Sequence, residues 1–516
     1  VTPGGTSPVT FTYPIAIPPT ARFWGINRSQ AWVSLSLTAS GSKRVLQVQD
    51  GGPLDLDGQA DGRVTFRGGL GLAPLFFSQF GDGLGQLSSQ ILVLNLDTQG
   101  SANVDFRLSD DGGVPLATDL DGVNIQGEHS VVIPAGGLSA LATDGVGNLK
   151  VGSVAAYGDR ALSGVIVFRG PAGVAGVGAG EVLSEGFVAP VESNTATGVD
   201  TGIAVMNLAD EERLLSLTLL DPDGQSLATA QTEIAGLGHL ALFAHQFTWQ
   251  PAISFANFTG LLRVEADGSL AATVLQTRPG EFVTLPVVPL GSVPATGGTL
   301  YFAHFGAGLD LLGSQIILFN RHETAPAQAT LTVRDDQGKV PSMSLNGVAV
   351  GPLVQVTVPP KGLRVLSTGS QGDLVSGSVR VTSPQPLAGV IVFSGSVGAA
   401  GVGSSPRIES GFSAPMETDR SRGLNTGVAL MNAGTRNTTL SLSLYDASGH
   451  RLARAAVSLP VNGHKALFVD QFQWDTTLDF TRFQGILKVA PSDPISATVL
   501  QTRPGQFATM PVAVTP

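Results

Sequence analysis

The residues of this chain that could do chemistry are acidic turns, glycine-rich runs and seven histidines. The stretch from Asp55 to Gly62 (DLDGQADG) places several carboxylates close together, as does the group of Asp119, Asp121 and Asn124. Oxygens at such spacing are typical calcium ligands. Neither stretch has the later Glu or the spacing of an EF-hand loop. We therefore favour turns over calcium sites and predict no metal and no cofactor.

Two glycine-rich runs have spacings similar to those of phosphate-binding loops. They extend from Gly170 to Gly180 (GPAGVAGVGAG) and from Gly395 to Gly403 (GSVGAAGVG). No Lys-Ser or Lys-Thr follows either run, and no helix is predicted after them. We interpret both as flexible connections.

Only two of the histidines, His239 and His464, recur at a fixed spacing of 225 residues, and each follows a glycine. This context favours a polar cap or loop contact over a metal ligand or a general base. The chain contains no HExxH and no GxSxG motif, and we identified no recurring carboxylate paired with these histidines. The sequence thus predicts no catalytic residues and a protein that is not an enzyme.

The elements that must position these residues are duplicated. The segment Leu275 to Gly280 (LQTRPG) returns unchanged as Leu500 to Gly505, a period of 225 residues. Arg278 and Arg503 in this motif are predicted to be structural pins, because Arg can pair with a carboxylate through two hydrogen bonds. Trp249 and Trp474 also recur, which favours a packing role. Two copies leave about 66 residues at the N-terminus outside the repeat.

Composition excludes several classes of function. A net charge of −11 and the lack of basic runs argue against nucleic acid as a partner. The absence of Cys rules out disulfides and thiolate sites. No apolar run approaches the ~20 residues that cross a bilayer, so no membrane insertion is expected.

Most of the chain has the pattern of short strands separated by turns such as Asp110 to Gly113 (DDGG). Apolar runs such as Gly164 to Phe168 (GVIVF) are interpreted as central strands of two-sheet sandwiches. Each copy contains two related halves, so the sequence predicts four modules of the size of a seven-stranded sandwich. The predicted regions are an N-terminal extended strand, an N-terminal β region and four sandwiches, with bounds 1–19, 20–70, 71–185, 186–292, 293–410 and 411–516.

The segments TGIAVMN (Thr201 to Asn207), GHLALF (Gly238 to Phe243) and VLQTRPGEFVTLPV (Val274 to Val287) carry a family resemblance. The chain resembles the tandem immunoglobulin-like β-sandwich repeats of secreted and surface proteins of bacteria. This resemblance implies an all-β fold and an extracellular or cell-surface location. It implies no defined activity, since such sandwiches serve as stalks, adhesins, filament subunits and enzyme appendages.

The N-terminal segment places apolar side chains on every second residue, at Val9, Phe11, Tyr13, Ile15 and Ile17. An extended strand of this pattern has one apolar face that is costly to expose. We hypothesise that it completes the sheet of another copy, which would give a head-to-tail homopolymer. The chain is therefore predicted to be a non-enzymatic subunit of an extracellular filament or layer. The alternatives left open are a strand that folds back on its own chain and an adhesin or polysaccharide-binding appendage with glycans as partners.

Overall fold

The computed structural model describes residues 2–12, 22–26, 32–35, 38–40, 43–66, 68–71, 73–170, 173–291, 293–294, 296–396 and 398–515. In these residues the protein is all-β, with 44 strands and three single-turn 3-10 helices. Turn residues separate nearly every pair of strands, which explains the high Gly and Pro content.

The N-terminal region forms two three-stranded sheets, ordered β1-β5-β4 and β3-β2-β6. Leu46 and Val48 of β5 form a small core with Val9 of β1. The strands of this region are β1 Thr6–Thr12, β2 Arg22–Ile26, β3 Trp32–Leu35, β4 Thr38–Ser40, β5 Lys43–Gln49 and β6 Gly68–Gly71.

The first copy of the repeat supplies nineteen strands and one 3-10 helix, Ala244–Gln246. The strands are β7 Leu75–Asp82, β8 Ser88–Asn95, β9 Ala102–Ser109, β10 Ala117–Leu120, β11 Val123–Gln126, β12 Glu128–Ile133, β13 Leu138–Ala142, β14 Lys150–Gly158, β15 Leu162–Gly170, β16 Gly173–Gly178, β17 Gly186–Asn194, β18 Asp200–Asn207, β19 Arg213–Leu220, β20 Ser226–Ile234, β21 His239–Phe243, β22 Asn257–Ala266, β23 Leu270–Arg278, β24 Glu281–Leu285 and β25 Val288–Pro289.

The second copy supplies nineteen strands and two 3-10 helices, Arg420–Arg422 and Val469–Gln471. The strands are β26 Thr299–Ala307, β27 Gly313–Asn320, β28 Ala327–Asp335, β29 Ser344–Leu345, β30 Val348–Ala349, β31 Val354–Val358, β32 Leu363–Ser367, β33 Val375–Thr382, β34 Leu387–Ser394, β35 Ala400–Gly403, β36 Phe412–Asp419, β37 Asn425–Asn432, β38 Thr438–Asp446, β39 Arg451–Leu459, β40 His464–Phe468, β41 Arg482–Pro491, β42 Ile495–Arg503, β43 Gln506–Met510 and β44 Ala513–Val514.

Apart from two short hairpins, the repeat strands form eight antiparallel sheets of four or five strands, which we name blades 1 to 8. The chain crosses several times between two neighbouring blades rather than completing each blade as a simple meander. The strand orders are β13-β8-β15-β16 for blade 1, β12-β9-β14-β7 for blade 2, β21-β18-β23-β24 for blade 3, β20-β19-β22-β17-β25 for blade 4, β32-β27-β34-β35 for blade 5, β26-β33-β28-β31 for blade 6, β40-β37-β42-β43 for blade 7 and β39-β38-β41-β36-β44 for blade 8.

The eight blades form a closed ring, which is the arrangement of an eight-bladed β-propeller. Blades 1 and 2 share one core, blades 3 and 4 a second, blades 5 and 6 a third, and blades 7 and 8 a fourth. Smaller clusters join blade 2 to 3, blade 4 to 5 and blade 6 to 7. Leu92 and Val165 of blade 1 belong to the core of blades 7 and 8, which closes the ring.

Each pair of blades that shares a core forms one quarter of the ring. One hairpin turn of each quarter contacts the next quarter. The turn after β9 reaches blade 3, where the His239 N–H donates to the Asp111 carbonyl at 3.3 Å. The turn after β38 reaches blade 1, where the Leu138 N–H donates to the Ala447 carbonyl at 2.9 Å. Gly449 in that turn has φ of 82°, and a Cβ on it would collide with the Ala135 carbonyl oxygen. Glycine is therefore required for this close approach.

The innermost strands β16, β24, β35 and β43 contact one another in ring order around the centre. Thr284 donates its hydroxyl to the Gly176 carbonyl at 3.0 Å, and Thr509 donates to the Gly401 carbonyl at 2.8 Å. A Cβ on Gly176 would collide with the Thr509 carbonyl oxygen. The interpretation of the glycine-rich runs as flexible connections is therefore wrong. They form central strands, and because glycine has no side chain, the backbones of two such strands can lie in contact.

The prediction of four tandem immunoglobulin-like sandwiches, and with it the family resemblance, is wrong. In the immunoglobulin fold the first strand pairs with the second, whereas here β7 pairs with β14, and β17, β26 and β36 pair in the same way with β22, β33 and β41. The ring also buries the second face of a blade. Strand β8 is buried at every residue except Ser88, as a strand packed on both faces must be.

The predicted role of the N-terminal strand as a donor to another copy is also wrong in the part that is described. Strand β1 pairs antiparallel with β5 of its own chain, with Val9 opposite Leu46 and Phe11 opposite Arg44. Of the other predicted assembly residues, Tyr13, Ile15 and Ile17 lie outside the described residues. One edge of β1 is thus paired within its own chain. The proposed filament or layer subunit loses its structural basis.

Candidate functional site

Two clefts related by the repeat open on the propeller, one beside blade 3 and the other beside blade 7. Their volumes are about 400 Å³ and 260 Å³. Each of the 14 residues lining the smaller cleft has its counterpart, 225 positions earlier, in the larger one. The paired residues differ at two positions only, Gln79 against His304 and Ile203 against Val428.

Apolar side chains that remain partly exposed form the walls. Phe243, Leu275 and Phe282 line the first cleft, and the second has Phe468, Leu500 and Phe507 in their places. Single-turn 3-10 helices hold the rims. Gln246 accepts a hydrogen bond from the Phe243 N–H at 2.8 Å, and Gln471 from the Phe468 N–H at 2.9 Å. The recurring segment from His239 to Phe247 is therefore a cleft rim.

A buried imidazole lies behind each cleft. In the first, His239 Nδ1 lies 2.8 Å from Asp111 Oδ1 and Nε2 lies 3.2 Å from Gln79 Oε1. In the second, His464 Nδ1 lies 2.7 Å from Asp336 Oδ1 and Nε2 lies 3.1 Å from His304 Nδ1. The carboxylates come from the hairpin turns of the preceding quarter. The packing of one quarter on the next therefore assembles these Asp–His pairs.

Burial favours the neutral form of two imidazoles, those of His239 and His304. It lowers the pKa of His239, against the opposing effect of Asp111. For His304, burial and the neighbouring His464 lower the pKa from 6.5 to about 3. The His304 ring also packs on Phe393, with ring centroids 5.4 Å apart. The second cleft thus presents a neutral imidazole that can donate or accept a hydrogen bond.

The prediction that the protein is not an enzyme does not stand, because its premise is wrong. It rested on the absence of an acid–base pair common to both copies. The structure places Asp111 on His239 and Asp336 on His464 with the same geometry. A carboxylate that orients a histidine is the arrangement from which general acid–base sites are built.

The predicted structural residues lie at two places. Arg278 donates from Nε to Gln276 Oε1 at 2.9 Å and its Nη2 lies 3.8 Å from Glu192. Burial lowers the pKa of Arg503, and its Nε has no hydrogen-bond partner in the part of the chain that the structure describes. Trp249 and Trp474 donate to the carbonyls of the 3-10 helices, at 2.7 Å and 2.9 Å. Their roles as pins and packing residues stay predictions.

The carboxylates of the acidic stretches accept hydrogen bonds from backbone N–H groups. Asp55 accepts hydrogen bonds from the N–H groups of Gly51 and Thr65, each at 2.8 Å. Asp119 accepts from the Gly122 N–H at 2.8 Å, and Asp121 from the Ala142 N–H at 2.9 Å. Within the described residues, no three His, Cys, Asp or Glu side chains gather as a metal site would require.

The comparisons with known proteins leave the family open. No family model matches the chain, and no curated protein matches it. A solved structure of a glycoside hydrolase family 32 protein from Bifidobacterium adolescentis is similar over 81% of this chain and 98% of that one. The sequence identity is 10% and the TM-score 0.14, too low to carry an argument about fold or function.

Sequence reasoning found His239 and His464 but missed their partners. Asp111 and Asp336 each precede the recurring histidine by 128 residues, so the pair could have been recognised from the shared spacing. Gln79 and His304 could not have been recognised in that way, because the two copies differ there.

All three helices in the described part of the chain are single turns, and none has the length or hydropathy of a membrane span.

Proposed function

We propose that the protein binds a small, mostly apolar molecule in each of the two clefts beside blades 3 and 7. The observation that supports this proposal is that residues lining the clefts are the same in both copies, whereas a neighbour that does not line them differs. Between the copies the rim residues Ala241, Leu242, Phe243 and Gln246 are kept, while their non-lining neighbour His245 becomes an aspartate. The exposed Ala241 is not needed for packing, which supports a ligand as the reason for its retention.

The lining favours an uncharged aromatic or acyl group with a single polar substituent. Apolar clefts with few polar groups are the usual form of small-molecule sites. Phe393, Phe468 and Phe507 surround the second cleft, and the neutral His304 supplies a hydrogen-bonding group. A charged ligand would find no opposite charge among the residues that line either cleft.

Fluorescence titration with the uncharged apolar dye N-phenyl-1-naphthylamine tests the proposal. We expect two sites per chain. The variants Ala241→Trp and Ala466→Trp fill one cleft each from an exposed rim position, so each should remove one site and leave the other. Melting curves of both variants check that they fold. Absence of dye binding by the folded wild type, or an unchanged stoichiometry in both variants, contradicts the proposal.

A second candidate function, supported by the chain from Asp336 through His464 to His304, is catalysis in the second cleft. A neutral imidazole can orient a substrate carbonyl or a water molecule by hydrogen bonding. Hydrolysis of p-nitrophenyl butyrate tests this candidate. Activity that is lost in His304→Gln and kept in the matched change Gln79→His supports it, whereas equal rates in wild type and His304→Gln contradict it.

An extracellular location, self-association, glycans as partners, and the absence of nucleic-acid binding and membrane insertion stay predictions from the sequence.

A further inference from the structure

A third cavity, separate from the apolar clefts, lies at the junction of blades 4 and 5. Its volume is about 240 Å³. One side is polar and the other apolar, and the residues used below are Glu192, Gln276, Gln315, Thr259 and Val191.

The repeat relates this junction to the one between blades 8 and 1, where the same polar residues recur as Glu417, Gln501 and Gln90. There the guanidinium of Arg169 takes part in the junction. Its Nη2 donates to Gln90 Oε1 at 2.6 Å. Burial and the nearby Arg503 lower the pKa of Arg169 to about 10, and the carboxylate of Glu417 opposes this lowering. The blade 8–1 junction thus contains its own tethered cation.

At the blade 4–5 junction the counterpart of Arg169 is Ser394. Two other counterparts are also smaller, since Val191 stands in place of Met416 and Thr259 in place of Gln484. The cavity therefore lies where the related junction holds larger side chains and a guanidinium.

The cavity retains the amide that accepts from the guanidinium in the related junction and the carboxylate that lies near it. Gln276 donates from Nε2 to Glu192 Oε2 at 2.8 Å, as Gln501 does to Glu417. The side chain of Gln315, the counterpart of the Arg169 acceptor, makes no hydrogen bond to any described residue. The Arg278 Nη2 lies 3.8 Å from Glu192 Oε2, and its Nε donates a hydrogen bond to Gln276 Oε1. Glu192 can therefore accept a further cation.

We propose that the cavity between blades 4 and 5 binds a guanidinium group on a short apolar stem, with Gln315 and Glu192 accepting its hydrogen bonds. Arg169 shows the chemistry of the missing partner. A planar guanidinium can donate to the amide oxygen and to the carboxylate at once, which a spherical ammonium does less well.

Isothermal titration calorimetry with agmatine tests this proposal, and the repeat supplies matched variants. We expect one site per chain in the wild type. Ser394→Arg places a tethered guanidinium in the cavity and should abolish binding. Arg169→Ser empties the related junction and should raise the stoichiometry from one to two. Glu192→Gln should weaken binding at least tenfold, and pentylamine, which has no guanidinium, should bind at least tenfold more weakly than agmatine.

Blocked arginine, N-acetylarginine amide, distinguishes the two sources of the group. Binding as tight as that of agmatine indicates an arginine side chain of a peptide, and much weaker binding indicates a free metabolite; both results support the guanidinium site. Melting curves confirm folding, and Ser394→Arg remains decisive if Arg169→Ser does not fold. The proposal is overturned by a folded wild type that gives no heat with millimolar agmatine, or by unchanged binding in Ser394→Arg.

Discussion

The change of His304 to Gln gives a quantitative test of the imidazole that lines the second cleft, because the first copy already carries Gln79 at this position. Gln79 accepts through Oε1 from His239 Nε2 at 3.2 Å, so a glutamine at 304 can keep the bond to His464. We therefore expect His304→Gln to unfold at nearly the same urea concentration as the wild type at about pH 8, where the His304 imidazole is neutral.

The two proteins should differ as the pH falls. The pKa of His304 is about 3 in the folded protein and 6.5 in its ordinary state. Between these values the unfolded chain binds the proton and the folded chain does not, so acid favours unfolding. For these two pKa values the linkage relation gives a loss of about 2 kcal/mol from pH 8 to pH 5 and about 3 kcal/mol by pH 4. The variant lacks this loss.

Urea unfolding of both proteins at several pH values between about 5 and 8 measures the difference. The pKa of Asp336 lies below its ordinary 3.8, so that carboxylate does not titrate in this range. The lowered pKa of His239 also makes acid favour unfolding, but this contribution is the same in both proteins and cancels in the comparison. Parallel stability curves for wild type and variant would refute the claim that His304 is held neutral by burial.

Three further predictions concern the ring. Asn432 donates from Nδ2 to the carbonyls of Arg436 and Pro460 at 2.8 and 2.9 Å, so Asn432→Asp, which cannot donate, should lower the free energy of unfolding by about 3 kcal/mol; a loss below about 1 kcal/mol contradicts this. Gly449→Ala should cost about 2 to 4 kcal/mol through strain at the closing turn, seen as a lower melting temperature, and an unchanged one would count against ring closure there. Trp249→Phe removes the 2.7 Å bond to the Ala244 carbonyl and should cost about 1 to 2 kcal/mol in urea unfolding, with full stability as the contrary result.

Each strand and turn depends on local chemistry, and these could be predicted. The turn from Asp110 to Gly113 forms because the Asp110 carboxylate accepts from the Gly112 and Val114 N–H groups, each at 2.9 Å. The wrong step was to assign the strands to separate sandwiches. A sheet that buries a face has the same alternation whatever covers it. The available signal was the continuous apolar run GVIVF, which requires burial on both faces.

The candidate sites were less accessible to sequence reasoning than the strands. His239 and Asp111 are 128 residues apart and meet only because a turn of one quarter packs on the next. Recognition of the guanidinium site required two comparisons between the copies. One is of Arg169 with Ser394, and the other is of the volume left between the blades at the two junctions. Neither comparison has meaning until the blades are known to meet.

The sequence by itself determined the duplication, the all-β character and the turns, because these depend on residue spacing and local hydrogen bonds. The tertiary structure alone decided that the sheets close into a ring, since closure depends on contacts such as Leu138 with Ala447, which lie far apart in the chain. It also decided which polar groups face each other across the blade junctions. Packing between distant surfaces leaves no periodic signal in the sequence, and the clefts exist only where two such surfaces meet.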